Sequence, residues 1–200
     1  DGVTDIGYGA FYHCNQLTTV KIPQSVENIQ AYAFDHTPFI TNWKSNQDGN
    51  DFLIVGNHIL LAYKGNNTNI EIPEGVQKIS SGCFQNHSEL QSVYLPDSVK
   101  EIGEDAFRDC SGLTTISGGN YLESIDDRAF YKCPVTTYTI PSTVKSIGLR
   151  AIDFTDTQKH DGTKIVVFNG NVLPNISYGK TSQRLMNEDY RKNALHNVLY

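Results

Sequence analysis

From residue 3 onward the apolar positions follow one template, V-x-x-I-G-x-x-A-F-x-x-C-x-x-L-x-x-V-x-I-P-x-S, which is twenty-three residues long. Val3, Ile6, Gly7, Ala10, Phe11, Cys14, Leu17, Val20, Ile22, Pro23 and Ser25 fill every defined position of the first copy. A period of this length marks a repeat array in which each unit buries its apolar side against the next. The second copy begins at Val26 with Ile29, Ala33 and Phe34, then carries Thr37 in the cysteine place and Trp43 in the valine place.

Regular units resume at Val76 (Ile79, Phe84, Leu90, Val93, Leu95, Pro96) and at Val99 (Ile102, Gly103, Ala106, Phe107, Cys110, Leu113, Ile116). The unit from Leu122 is one residue short, and Val144, Ile147, Gly148 and Ala151 open a further copy with Ile152 in the phenylalanine place. Between the second copy and Val76, at about 46–70, two apolar runs flank Gly56 and Asn57, the pattern of a β-hairpin on a tight turn that favours positive φ. The hairpin is read as part of one enlarged rung. Beyond 155 the register lapses; Ile165, Val166, Val167 and Phe168 offer one more strand, and 182–195 reads as a helix with Leu185, Met186, Tyr190 and Ala194 along one side.

Within each unit the alternation Thr19, Val20, Lys21, Ile22 is that of a half-buried strand. Pro23, Pro73, Pro96 and Pro141 each lack an N–H and end the strand. Equivalent strands one turn apart would pair in parallel. The half-unit I-G-x-x-A-F-x-x-C has spacings of three and four, which suit helical or 3₁₀ turns and place it on the opposite wall. The phenylalanine is expected to fill the space between the walls.

The I-P-x-x-V-x-x-I-x-x-x-A-F run, found with small variations at 22–34, 72–84, 95–107 and 140–152, resembles the BspA-like leucine-rich repeats of bacterial cell-surface proteins. The likeness covers about 3–154. Departures are the enlarged rung, the Ser117, Gly118, Gly119, Asn120 segment where an Ile-Pro was due, and the C-terminal residues from 155 on. The resemblance implies a leucine-rich-repeat solenoid of the α/β horseshoe type, with short parallel strands on one face and turns or short helical segments on the other. It also implies a secreted or surface-exposed, adhesin-like protein without catalysis. One domain is expected over 1–200. Because the N-terminal DGVTDIG already lies in the repeat pattern, the chain is read as part of a longer protein.

A net charge of −6 lacks the basic footprint that nucleic-acid binding requires, and no apolar run approaches the length of a membrane span. Cys14, Cys110 and Cys133 share one template position and Cys83 stands four places earlier in its unit, so they read as small packing residues and not as disulfide partners. His13 and His36 fall at equivalent positions with Asp35 beside them. Two imidazoles there could reach one ion, but solvated histidines are the simpler reading, and no metal ligands are assigned. No GxSxG, HExxH, P-loop or GxGxxG occurs, so neither a catalytic residue nor a cofactor is assigned.

The outward strand positions remain: Thr19 and Lys21, Asn42 and Lys44, Asn69 and Glu71, Ser92 and Tyr94, Thr115 and Ser117, Thr137 and Thr139. Aligned from rung to rung, they form a polar strip with Tyr94 as its aromatic anchor, and solenoids bind partners on such surfaces. The expected partner of a monomeric binding module is a protein or a glycan, with host extracellular matrix as one source. A plain solvated face, a structural spacer, and a targeting module for an enzyme domain encoded outside this chain are the alternatives.

Overall fold

The computed structural model describes residues 2–135, 137–152 and 165–168. The chain coils as a β-solenoid of repeated rungs. Strands β1 (Asp5–Ile6) and β2 (Asn28–Ile29) pair in parallel, followed by helix α1 (Pro38–Ser45) and an antiparallel hairpin of β3 (Phe52–Val55) and β4 (Ile59–Tyr63). Two kinds of strand then alternate. β5 (Asn69–Glu71), β7 (Ser92–Leu95), β9 (Thr115–Gly118), β11 (Thr137–Ile140) and β13 (Ile165–Phe168) form one parallel sheet. β6 (Lys78–Ile79), β8 (Glu101–Ile102), β10 (Ser124–Ile125) and β12 (Ser146–Ile147) extend from β4 as a second.

The first sheet has the expected alternation: Val93 and Leu95 are buried while Tyr94 faces out, and Ile116 is buried between exposed Thr115 and Ser117. Its register lines up Asn69, Ser92 and Thr115 across the strands, and likewise Glu71, Tyr94 and Ser117. On the other wall the template isoleucine was expected in a helical turn. It sits instead in a two-residue strand, with Leu60, Ile79, Ile102, Ile125 and Ile147 stacked in register. Cross-rung bonds such as Gly103 N–H to the Ile79 carbonyl, 2.9 Å, replace the bonds a helix would make within itself. Added to Gly103, a Cβ would stand 2.8 Å from the Ser81 nitrogen, so the backbones pass too close for a side chain there.

After that strand the wall is a run of tight turns. Bonds within the rung (Ala106 N–H to Gly103 O, 3.2 Å; Cys110 N–H to Phe107 O, 3.2 Å) alternate with bonds to the next rung (Asp105 N–H to Asp127 O, 3.0 Å; Phe107 N–H to Ala129 O, 2.7 Å). This geometry puts two residues per turn at positive φ. The first is Gly9, Tyr32, Gly82, Asp105, Arg128 or Arg150, and the second His13, His36, Asn86, Asp109 or Lys132. Between the walls the phenylalanine rings stack: Phe84 on Phe107 at 4.7 Å and Phe107 on Phe130 at 5.1 Å, nearly parallel. Cys110 and Cys133 lie buried beside them, each thiol donating to the phenylalanine carbonyl of the preceding rung (Phe84 and Phe107). All four cysteines are free thiols, with Cys14 exposed.

Two expectations for the outward strip need correction. Asn42 and Lys44 are on a helix, not a strand, because Thr37 caps α1, its Oγ1 accepting from the Ile40 N–H, and Pro38 stands in the first turn. Phe39 and Ile40 pack against the core of the first two rungs, and the helix takes the place of the second rung's strand. In consequence Thr19 and Lys21 have no neighbouring strand to pair with, and their segment forms no ladder. The hairpin ends the continuity of the core as well: Val26, Ile29, Ala33, Phe34 and Ile59 form one buried cluster, and Leu60 onward another. The helix expected at 182–195 lies outside the described residues.

Candidate functional site

The five-stranded sheet presents two outward columns, built by the register and not by any local motif. Asn69, Ser92 and Thr115 form one, and the Ser92 hydroxyl donates to Asn69 Oδ1 at 2.6 Å. Glu71, Tyr94 and Ser117 form the other. The Thr137 backbone continues the first beside Thr115, with Thr139 two residues further along β11. Tyr94 is 43% exposed and no hydrogen bond engages its hydroxyl among the described residues. Its ring lies against Gly118, where an added Cβ would come within 3.0 Å of the ring and 2.1 Å of the Leu95 carbonyl. The Gly118 and Gly119 pair, at φ 76° and 67°, lets the chain leave β9 under the Tyr94 ring in place of the usual Ile-Pro exit. Of the twelve strip residues expected from sequence, Thr19, Lys21, Asn42 and Lys44 lie off this sheet.

The turn wall carries chemistry that the template had treated as filler. On the first two rungs Tyr8, Tyr12, Tyr32, His13 and His36 gather. His13 and His36 stack at 4.5 Å with an interplanar angle of 6°, and the Tyr12 ring stands edge-on to both, at 4.4 Å and 5.4 Å. Tyr32 packs edge-on to Tyr8 and Tyr12, and its hydroxyl is held above the ordinary tyrosine range, first by burial and then by the nearby Asp105 carboxylate. The sequence signal for this patch is that Tyr8, Tyr12, His13, Tyr32 and His36 all occupy the open positions of the I-G-x-x-A-F-x-x-C half of the first two units.

Further along the same wall the filler positions are charged. Arg128 donates to both oxygens of buried Asp105, at 2.9 and 3.2 Å, and pairs with Glu104. Those bonds hold the guanidinium above its already high range. Arg108 pairs with Asp105 and Asp109, and Lys132 with Asp109. The guanidinium of Arg150 lies 4.5 Å from the Tyr131 ring centre.

Between these regions is a small cleft of about 70 Å³, bordered by Tyr32, Phe34 and Asp35 on one side and Ser81, Cys83 and Gln85 on the other. In regular rungs those positions bond across the gap. Here the N–H groups of Tyr32, Phe34 and His36 and the carbonyls of Ser81, Cys83 and Gln85 have no backbone partner among the described residues, because the hairpin replaces the turns that would lie between them. Burial also drives the Cys83 thiol, on the cleft wall, well above the usual range.

Parallel two-walled stacking with a leucine-rich template defines a leucine-rich-repeat solenoid. The chain belongs to the BspA type leucine rich repeat family, whose pattern matches six copies over residues 1–53 and 55–159. This is a family of bacterial surface repeat proteins, typically without catalytic activity. Among solved structures, the chain is similar to a T. pallidum leucine rich repeat protein, 24% identical over 62% of this chain and 57% of that one, with a TM-score of 0.50. It is similar also to a leucine rich cell surface protein from Faecalibacterium prausnitzii A2-165, 21% identical over 92% of this chain and 60% of that one, TM-score 0.49. The chain thus spans less than two thirds of either protein. No curated protein matches it. Among the described residues no helix is long and apolar enough to cross a membrane.

Proposed function

We propose that this chain is a non-enzymatic binding module of a cell-surface or secreted protein, engaging a protein or glycan through the five-stranded face. The observation that carries the reading is the placement of Tyr94, an exposed aromatic with a free hydroxyl at the centre of a polar two-column strip, on a glycine that keeps its ring accessible. Such a residue supplies apolar contact and a polar tip at small entropic cost, which suits adhesion to host matrix proteins or sugars.

The test is a binding screen against extracellular-matrix proteins and glycans with the wild-type chain, a Tyr94→Ala/Ser117→Lys variant of the strand face, and a Lys21→Glu/Lys44→Glu control off that face. Loss of at least about tenfold in affinity, roughly 1.4 kcal/mol, for the face variant alone is the expected result. Equal binding by all three, with unchanged circular dichroism, removes the sheet as the contact surface.

A further inference from the structure

Each of the first two rungs holds a histidine at the second left-handed position of its turn, His13 at φ 56° and His36 at φ 58°. Because the backbone is the same in both rungs, with the His13 N–H bonded to the Asp35 carbonyl, the two side chains leave the wall in parallel one rung apart. The rings stack at 4.5 Å, both residues are exposed, and neither imidazole makes a side-chain hydrogen bond among the described residues. The Tyr12 edge borders both rings. The pair thus presents two unengaged nitrogen-bearing rings, side by side and open to solvent.

We propose that His13 and His36 together bind a borderline divalent transition-metal ion, of which Zn²⁺ is the representative, at a two-imidazole site on the turn wall. Zn–N bonds of about 2.0–2.1 Å at a tetrahedral angle need donor nitrogens about 3.3 Å apart. From nearly parallel rings 4.5 Å apart, the donor nitrogens must converge by about 1 Å and both ring planes must turn out of the stack until each contains the ion, a change of rotamer open to two exposed side chains. Among the described residues no group of three or more His, Cys, Asp or Glu is placed to hold a metal. Water therefore completes the coordination, and the bound ion keeps open positions for an oxygen or nitrogen ligand. Imidazole donors favour Zn²⁺, Ni²⁺ or Cu²⁺ over Ca²⁺ or Mg²⁺. An ion held this way also ties the first rung to the second outside their backbone ladder.

The test is calorimetric titration of Zn²⁺, with Mg²⁺ alongside, into the chain carrying Cys14→Ser so that the exposed thiol does not contribute. The comparison variants are His13→Asn and His36→Asn in the same background. Asparagine tolerates the left-handed backbone, and Asn86 holds the equivalent position at φ 65°, so these changes leave the turn intact. One Zn²⁺ per chain, at least about tenfold weaker in each single variant and no Mg²⁺ binding, is the expected result. Imidazole proton signals of His13 and His36 should shift together on titration. Zn²⁺ binding that survives either substitution, that vanishes with Cys14→Ser alone, or that is absent up to millimolar ion overturns the proposal.

Discussion

The turn walls of rungs one and two and of rungs five and six share a backbone and little else. Both place residues at positive φ in the same two places and both hydrogen-bond to the adjoining rung. Yet the first carries Tyr8, Tyr12, Tyr32 and a histidine stack, with Tyr8 67% exposed, whereas the second carries an ion network centred on Asp105, only 4% exposed. The inward residues differ in depth as well: Phe107 is fully buried between two rings, while Phe11 stacks on Phe34 alone and stays half-buried. The repeat therefore prescribes the backbone and the core and leaves the outward turn positions free to vary. Chemistry specific to this chain collects where the template is silent.

The largest expected break in that comparison is Phe107→Ala. It empties a position lined on both sides by aromatic rings, and should cost about 3–5 kcal/mol in urea unfolding. Phe11→Ala should cost about half as much or less, since its ring is already partly wet. Equal losses at the two positions would mean that the first rung is as well packed as the fifth, and a loss under about 1 kcal/mol at Phe107 would place its ring on the wrong wall.

Asp105→Asn probes the ion network next. The buried carboxylate accepts two bonds from Arg128, and its neutral amide cannot satisfy the same donors, while asparagine still accepts the φ of 55°. A loss of about 1–3 kcal/mol is expected. The guanidinium of Arg128 is about a third exposed, so water relieves part of the deficit. If stability is unchanged, the network is surface decoration and the contrast with the aromatic wall is one of composition only.

Much of this was legible from spacing. The buried valine, isoleucine and phenylalanine positions follow directly from the period, and the hairpin from apolar runs around Gly56 and Asn57, whose turn packs against Val26 with the Asn57 N–H on the Val26 carbonyl. Helix α1 was hidden by the same arithmetic: Trp43 lies one full period after Val20, so counting carried it onto a strand while the Thr37-Pro38 capping signal argued locally for a helix. Two-residue strands of the second wall are too short to show alternation and exist only through their neighbours. The strand face was half legible, since the outward positions from Asn69 to Ser117 follow from the alternation, but which rungs join one sheet depends on whether each has a partner strand.

Tyr138→Phe should act in the opposite direction from the first two changes. Tyr138 stands where other rungs have valine or isoleucine, its hydroxyl is buried with no partner among the described residues, and burial drives its pKa upward. Deleting an unsatisfied buried hydroxyl removes a desolvation cost, so a gain of about 1 kcal/mol is expected in thermal or urea unfolding. A loss of similar size would show that the hydroxyl has a partner after all.

The smallest effect separates the two turn walls most cleanly. Lys132 and His36 occupy the same left-handed place in their rungs, at φ 60° and 58°. A lysine there bears a backbone cost of roughly 1 kcal/mol that asparagine largely avoids. Lys132→Asn also loses the exposed ion pair with Asp109 at 3.3 Å, worth a few tenths of a kcal/mol. The net should be a gain of about 0.5 kcal/mol. His36→Asn relieves less, because histidine is itself enriched in this conformation, and it removes the stacking partner of His13. Differential scanning calorimetry of the two variants should therefore move Tm up slightly for Lys132 and leave it level or lower for His36. The same direction at both sites would mean that the turn backbone, and not what it displays, sets the difference between the walls.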